Sequence, residues 1–385
     1  MQNQSQAAAP SALLDVFKQI PVKMERADGV WLFDRDGKRY LDFYGGHAVA
    51  LLGGTHPQLA EVLSTQAHKL LFQSNAVGLE VRERAASRLA AFAPAGLAKV
   101  FFVNSGAEAN ENALRIALRA TDRKRVVAVA GAFHGRTAAA AAITAGHESW
   151  YGFARAPFDV TVVPYNDVAA LAAAVTDDVA ALIFEPVQGV AGARAMNPEF
   201  VHAARALTRE HRAPLIFDEV QCGMGRSGQP FAAQAFGVTP DILTTAKGLA
   251  GGFPAGAVLV SDSLASTLKH GDLGTTFGGG PLACALIEAV IDTIVRDDLL
   301  GNVRRLSQRL MHETRVGPVV GVQGMGFLLG LRLSRPAGDV LAALRARGIL
   351  AGSSADPNVL RLLPPLILAD AHVDQLVSTL KEIPS

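Results

Sequence analysis

Ile216-Phe217-Asp218-Glu219-Val220-Gln221 is an apolar run closed by a carboxylate, and Thr244-Thr245-Ala246-Lys247-Gly248-Leu249 is a second short run closed by an amine before glycine. Short apolar runs bounded by such breaks read as buried strands, so these two segments set an acid and a lysine at the ends of two strands. The same pattern recurs on both sides. From residue 99 onward, apolar runs fall at 99–103, 125–130, 159–163, 179–184, 214–218, 242–246 and 257–261, separated by stretches with helical spacing. Seven runs of this kind predict an α/β domain with a mainly parallel sheet buried on both faces.

The chain of 385 residues exceeds one ordinary domain, so two are expected. Half of it is hydrophobic and 18% is charged, which excludes a disordered chain. A net charge of +1 gives no electrostatic bias toward nucleic acid or membrane. Cys222 and Cys284 are the two cysteines, too few for a disulfide framework, and a reducing, cytoplasmic compartment is the reading. Residues 1–20 lack a basic segment followed by an apolar core and read as a mobile tail rather than a secretory signal. The most apolar region, Val126 to Gly146, carries His134 and Arg136 at its centre, which argues against a membrane span. No metal ligands are assigned.

Outside the α/β region, 31–34 and 38–43 flank an Arg35-Asp36-Gly37 turn and predict a hairpin. Helices are expected near 57–71, 79–92 and from Pro281 to about 296. A C-terminal α+β segment follows, with helices near 298–315, 337–347 and 370–382, strands within 319–333 and a short strand at 359–363.

The acid and amine of the opening pair are what pyridoxal 5'-phosphate requires. A lysine amine can be deprotonated by burial and then hold the cofactor's aldehyde covalently, while an acid such as Asp218 keeps its pyridine nitrogen protonated. Alone, a strand-end aspartate is more often a cap and a lysine is usually solvated. The wording around both decides between these readings. Segments 218–228, DEVQCGMGRSG, and 244–258, TTAKGLAGGFPAGAV, resemble the signature of the class III, or ω-amino acid, aminotransferases, and further motifs extend the resemblance from about residue 20 to the C-terminus. It implies the aspartate-aminotransferase-like fold (pyridoxal-phosphate fold type I). The large domain would span 61–296, and residues 21–60 and 297–385 would together form the smaller α+β domain.

The same resemblance implies roles for individual residues. In Asn104-Ser105-Gly106-Ala107-Glu108-Ala109-Asn110 a strand meets a helix start, where free N–H groups favour an anion; a plain helix cap is the alternative reading, and the resemblance assigns Ser105, Gly106 and Ala107 to the cofactor phosphate. In Phe133-His134-Gly135-Arg136-Thr137, Phe133 would stack on the cofactor ring and Arg136 would bind a substrate α-carboxylate, a task suited to a planar guanidinium. His134 is read as a structural neighbour. Val220 would pack on the ring face opposite Phe133, Gln221 would reach the phenolic oxygen, and Glu219 would pair with Arg226. Glu185, in Glu185-Pro186-Val187-Gln188-Gly189, would play a supporting part. Thr276, in Gly274-Thr275-Thr276-Phe277-Gly278-Gly279, would touch the phosphate in a neighbouring subunit, which implies a homodimer with shared sites. Arg361, in Leu360-Arg361-Leu362-Leu363-Pro364-Pro365-Leu366, would bind the α-carboxylate of glutamate or 2-oxoglutarate, a structural ion pair being the bland alternative.

Tyr44-Gly45-Gly46-His47-Ala48-Val49 is similar to the corresponding segment of the acetylornithine and succinylornithine branch. That likeness implies transfer of the ω-amino group of an N-acylornithine to 2-oxoglutarate, in arginine biosynthesis. Ornithine, 4-aminobutyrate or acyl-lysine aminotransferase are close alternatives; a decarboxylase or aminomutase on the same fold, or a non-catalytic interaction protein, stand further off. One departure is specific: relatives carry a glutamate after Gln-Gly that covers the arginine equivalent to Arg361, and here Val190 stands in its place. Water, another carboxylate or an anion is therefore expected beside Arg361.

Overall fold

In the computed structural model, residues 12–385 are described; the first eleven residues of the expected tail lie outside the described residues. Strands β1 (Met24–Asp28), β2 (Trp31–Asp34) and β3 (Arg39–Asp42) form an antiparallel meander, of which β2 and β3 are the expected hairpin. β1 has no apolar signature, since Glu25, Arg26 and Asp28 occupy three of its five positions and it is largely exposed at a sheet edge.

All seven predicted runs lie in one sheet. The strands are β4 (Lys99–Val103), β5 (Arg125–Val129), β6 (Asp159–Val163), β7 (Val179–Phe184), then, after the two-residue strands β8 (Val187–Gln188) and β9 (Arg194–Ala195), β10 (Leu215–Asp218), β11 (Ile242–Thr245) and β12 (Gly256–Val260). Their order is β4-β12-β11-β10-β7-β5-β6, and β12 alone runs antiparallel to its neighbours. The continuous apolar runs have a plain cause. Successive side chains point to opposite faces, so Ile183, Ile216 and Ile242 pack with Ala113, Leu114 and Ala117 of the helix Gly106–Thr121, while Phe184, Phe217 and Leu243 enter the larger core on the other face. Burying a side chain such as Phe217 stabilises by about 1.5–3 kcal/mol, which holds Asp218 next to it in a rigid frame.

The C-terminal part contributes β13 (Val319–Met325), β14 (Leu328–Leu333), β15 (Ile349–Leu350), β16 (Gly352–Ser353) and β17 (Val359–Leu362). β13, β14, β17 and β16 form one sheet in that order, whereas β15 pairs in parallel with β3. Both chain ends thus share the smaller α+β unit. β15 and β16 are too short to show a period, and the pairing of β15 rests on a partner far away in sequence.

Candidate active site

Five strands of the large sheet deliver side chains to one place, each just past its C-terminal end. Ser105 to Ala107 follow β4, Phe133 to Arg136 follow β5, Glu185 follows β7, Asp218 to Gln221 close β10, and Lys247 follows β11. Ligands of open α/β sheets bind outside the carboxyl ends of the strands. Here the space is a cavity of about 410 Å³ whose walls include Ser105, Gly106, Ala107, Phe133, Arg136, Asp218, Val220 and Lys247.

Asp218 is 2% exposed and heavily partnered. Its Oδ2 accepts from Asn110 Nδ2 at 2.7 Å and lies 2.7 Å from Nδ1 of His134; a carboxylate only accepts, so that nitrogen donates. Oδ1 accepts from the Val220 N–H at 3.0 Å. Asn110 Oδ1 in turn accepts from Thr244 Oγ1 at 2.7 Å, which ties β10 and β11 together through the helix Gly106–Thr121. His134 is a structural neighbour, as read, and one that fixes the acid.

Lys247 keeps some surface open to the cavity, and its backbone sits in the left-handed region at φ 46°. Such a conformation costs a non-glycine residue on the order of 1–3 kcal/mol and is held where surrounding structure demands it. Burial holds the amine below its ordinary pKa, against the opposing pull of Asp218 and Glu185. Glu185 accepts from the N–H groups of Phe133 (2.9 Å) and Gly189 (3.1 Å), and burial, then the charge of Asp218, push it up to about 7.

At the helix start, Ser105 Oγ accepts from the Glu108 N–H at 3.2 Å, an N-cap, and Glu108 Oε2 accepts from the N–H of Asn104, the residue before the cap, at 2.6 Å. The cap reading and the anion reading are compatible, because Gly106 and Ala107 still face the cavity. Gly106 has to be glycine: a Cβ there would lie 2.6 Å from Val220 Cγ1.

Arg361 lies on β17 and is buried, donating through Nε to the Ser353 carbonyl at 2.6 Å and through Nη1 to Gln221 Oε1 at 3.3 Å. Burial lowers its pKa. Gln221 Nε2 donates to the His47 carbonyl at 3.4 Å, so this glutamine bridges the N-terminal segment and Arg361. The place of the missing glutamate is thus partly taken by two neutral acceptors, Gln221 and the Ser353 carbonyl. Val190 lines a neighbouring cavity behind Phe133. Arg136 is exposed, its guanidinium 4.3 Å from the Trp150 ring centroid. Thr276 is exposed and stands outside the cavity wall.

One expectation is overturned. Glu219 and Arg226 do not pair: Glu219 accepts from the N–H groups of Ala232 (2.6 Å) and Ala233 (2.7 Å) at the start of a short helix, while Arg226 donates to the carbonyls of Phe327 and Pro364. The turn after β10 sends the two side chains to different walls. Burial pushes Glu219 up to about 7 and holds Arg226 down at about 9, with Asp42 opposing the shift of Arg226. Sequence reasoning missed Asn110 and Thr244. Asn110 stands four residues after Gly106 on the same helix, hence on the same face, and a polar side chain among alanines was the signal available.

The chain matches the aminotransferase class-III family over residues 15–383. It belongs to that family. The class-III aminotransferase is 44% identical over 379 residues to the acetylornithine aminotransferase of Agrobacterium fabrum, covering 94% of this chain and 93% of that one. It is 46% identical over 364 residues to the acetylornithine aminotransferase of Streptomyces coelicolor, covering 93% and 90%. Among solved structures it is similar to the ornithine aminotransferase of Toxoplasma gondii, with TM-score 0.90 at 28% identity, covering 96% of this chain and 91% of that one. The acetylornithine aminotransferase of Elizabethkingia anophelis gives TM-score 0.81 at 29% identity, covering 96% and 94%. The fold is therefore the aspartate-aminotransferase-like one, and the class-III enzyme is a pyridoxal-phosphate-dependent aminotransferase.

The residues present fit that cofactor. The cavity has an amine lowered by burial, a carboxylate fixed across from it, two apolar walls in Phe133 and Val220, and a helix N-terminus for the phosphate. The absent Cβ of Gly106 keeps that last approach open. Among the described residues no cluster suited to a metal ion occurs, and no helix is long and apolar enough to cross a membrane.

Proposed function

We propose that the enzyme transfers the ω-amino group of an N-acylornithine, N-acetylornithine foremost, to 2-oxoglutarate, giving the semialdehyde and glutamate in arginine biosynthesis. The carrying observation is the pair of guanidinium groups at the site, Arg136 and Arg361, neither of which has a carboxylate partner among the described residues. Both donor and acceptor in this reaction bring carboxylates, which such groups bind through parallel N–H donors. Similarity to acetylornithine aminotransferases supports the choice of donor.

Bound pyridoxal phosphate supplies an aldehyde that captures amines and a ring that withdraws electrons from the substrate carbon. Ser105, Gly106 and Ala107 would hold its phosphate, Phe133 and Val220 would enclose the ring, and Gln221 would serve the phenolic oxygen. Asp218, immobilised by Asn110 and His134, holds the proton at the pyridine nitrogen. Lys247 Nζ would be the group that holds the cofactor's aldehyde and, when free, would serve as the base and acid that moves a proton at the substrate carbon. Glu185 steadies the backbone of Phe133. Arg136 orients the donor by its α-carboxylate, and Arg361 orients 2-oxoglutarate.

Thr276 serves the cofactor phosphate of a second subunit. Support for this homodimer is the apolar surface beside Thr276, where Phe277 is 66% exposed and its ring centroid lies 5.4 Å from that of Phe72. Sedimentation of the intact enzyme tests it: a dimer is expected, dissociating in Phe277→Asp, and a monomer with full cofactor affinity would end the idea. The substrate reading is tested by steady-state rates with N-acetylornithine, N-succinylornithine, ornithine, 4-aminobutyrate and N-acetyl-lysine, each against 2-oxoglutarate. An acylornithine is expected to give the highest kcat/KM; a tenfold lead for any other amine would overturn it.

A further inference from the structure

Between the helices Pro57–Lys69 and Glu80–Phe92 the chain runs through residues 70–79 without regular structure, and there it meets the loop that carries Thr276. Gly274, Gly278, Gly279 and Gly280 all lie in that loop. Glycine loses more conformational freedom on ordering than any other residue, so a loop of this composition needs outside contacts to hold one shape.

Arg82 supplies them. Its Nε donates to the Gly279 carbonyl at 2.8 Å, Nη1 to the Val77 carbonyl at 3.1 Å, and Nη2 to the carbonyls of Gln73 at 3.4 Å and Ser74 at 3.3 Å. Asn75 Nδ2 adds bonds to the carbonyls of Thr275 (3.2 Å) and Gly278 (3.0 Å), one on each side of Thr276. Beneath them the loop is seated directly on β4, since a Cβ on Gly278 would lie 2.3 Å from the Phe102 carbonyl oxygen. Arg82 is half-buried and has no carboxylate partner among the described residues. A planar fan of donors is the group that can span carbonyls of two segments at once; an ammonium cannot.

The clamped residue faces away from its own site. Thr276 is exposed, and among the described residues its hydroxyl has no hydrogen-bond partner. An apolar cavity of about 440 Å³ has walls that include Asn104, next to Ser105, and Phe277, next to Thr276, so it stands between the loop and the phosphate turn of the same subunit. We propose that Arg82 is a positioning residue for the cofactor site of the second subunit: by fixing residues 274–280 to residues 73–77, it holds Thr276 where its hydroxyl meets the phosphate across the interface. This rests on the homodimer reading above and adds the group that holds the contact in place.

The test uses holoenzyme of the parent, Arg82→Gln, Arg82→Lys and Thr276→Ala, with sedimentation and melting temperature recorded for each. Cofactor affinity is read from the fraction of each chain that carries the pyridoxyl group after dilution and borohydride reduction. Arg82→Gln should stay dimeric and hold the cofactor about 10–100-fold less tightly, the range for losing one hydrogen bond to a charged group, with Arg82→Lys in between and Thr276→Ala at least as weak. The deciding arm is a mixed dimer of Arg82→Gln and Lys247→Ala chains. There the site that keeps Lys247 borrows its loop from the chain with Arg82 intact, so the Arg82→Gln chain should regain the retention of the parent. Equal loss in the mixed dimer and the homodimer would place the effect inside one subunit and overturn the inference, as would full retention in the Arg82→Gln homodimer. Dissociation of Arg82→Gln to monomers overturns it too, because Arg82 would then hold the interface rather than Thr276. If the parent itself sediments as a monomer, the homodimer reading falls and the inference with it.

Discussion

Asp218 receives hydrogen bonds from Asn110, His134 and the backbone of Val220, whereas among the described residues the Arg136 guanidinium, on the wall of the same cavity, rests only against the face of Trp150. The contrast extends to the neighbours of each. Around the acid, Asn110 passes its remaining acceptor to Thr244; around the cation Arg361 the acceptors among the described residues are neutral, Gln221 and the Ser353 carbonyl. A group that must hold one position through the whole reaction is best immobilised beforehand by a satisfied network. A group that must receive a ligand anion keeps its donors free, and its desolvation is compensated when the ligand arrives. The two regions meet at Lys247, which has no hydrogen-bonded side-chain partner among the described residues, as the proposed role of a moving amine requires.

The largest effect is expected there. Lys247→Ala should lower turnover by about 10,000-fold or more, since both the covalent anchor and the proton carrier are removed. Borohydride reduction of the native enzyme and peptide mass analysis should find the pyridoxyl group on Lys247; a label on another lysine would break the assignment. Next comes the acid. Asp218→Asn should cut kcat by roughly 100–10,000-fold, because an amide cannot stabilise a protonated pyridine nitrogen. Asn110→Ala should cost a smaller factor of about 10–100, the loss of one hydrogen bond to a charged group. If Asn110→Ala were as harmful as Asp218→Asn, the asparagine would be acting on the cofactor itself.

On the cationic side, Arg361→Lys should raise KM for 2-oxoglutarate by about 10–100-fold with a smaller change in the donor half-reaction, because a lysine cannot make the paired contact. Val190→Glu sharpens the same point: with no acidic cover, Arg361 stays open to dicarboxylates throughout, so 2-oxoglutarate should compete with the donor in the parent and less so in the variant. Equal inhibition constants would mean that Gln221 already gates Arg361.

The smallest effect concerns stability. Glu219 is fully buried and its native pKa of about 7 lies above the ordinary 4.5. A raised carboxylate pKa means that the native state takes up a proton. Its contribution is therefore present below about pH 4.5 and is lost as pH rises through about 7. Glu219→Gln removes that titration, so its melting temperature relative to the parent should climb between pH 5 and 8, by the equivalent of about 1–3 kcal/mol. The amide accepts less well from the two N–H groups of Ala232 and Ala233, an offset that does not vary with pH. A pH-independent difference would show that Glu219 stays ionised throughout.

Most of the large sheet was legible because both of its faces are covered: runs such as 179–184 and 214–218 are apolar at nearly every position, which is a strong local signal. Site residues were legible for a related reason, since polar or small residues at the ends of such runs stand out. The pairing of Glu219 with Arg226 went wrong because proximity in sequence says little once the chain turns. These side chains diverge to Ala232 and Ala233 on one wall and to Phe327 and Pro364 on another.

By itself the sequence determined the strands, the carboxylate at 218, the amine at 247 and the membership of the class-III family, all of which are written in short windows of a few residues. The tertiary structure alone decided what each polar group does for its partners. It brings Asn110 and His134 onto Asp218, turns Gln221 toward Arg361 and the His47 carbonyl, adds β15 to β3, and sets Arg194 over the ring of Tyr165. The physical reason is range. Strand patterning arises from burial of neighbouring residues, whereas a hydrogen bond depends on placement to within a few tenths of an ångström of groups that only the complete packing of the chain brings together.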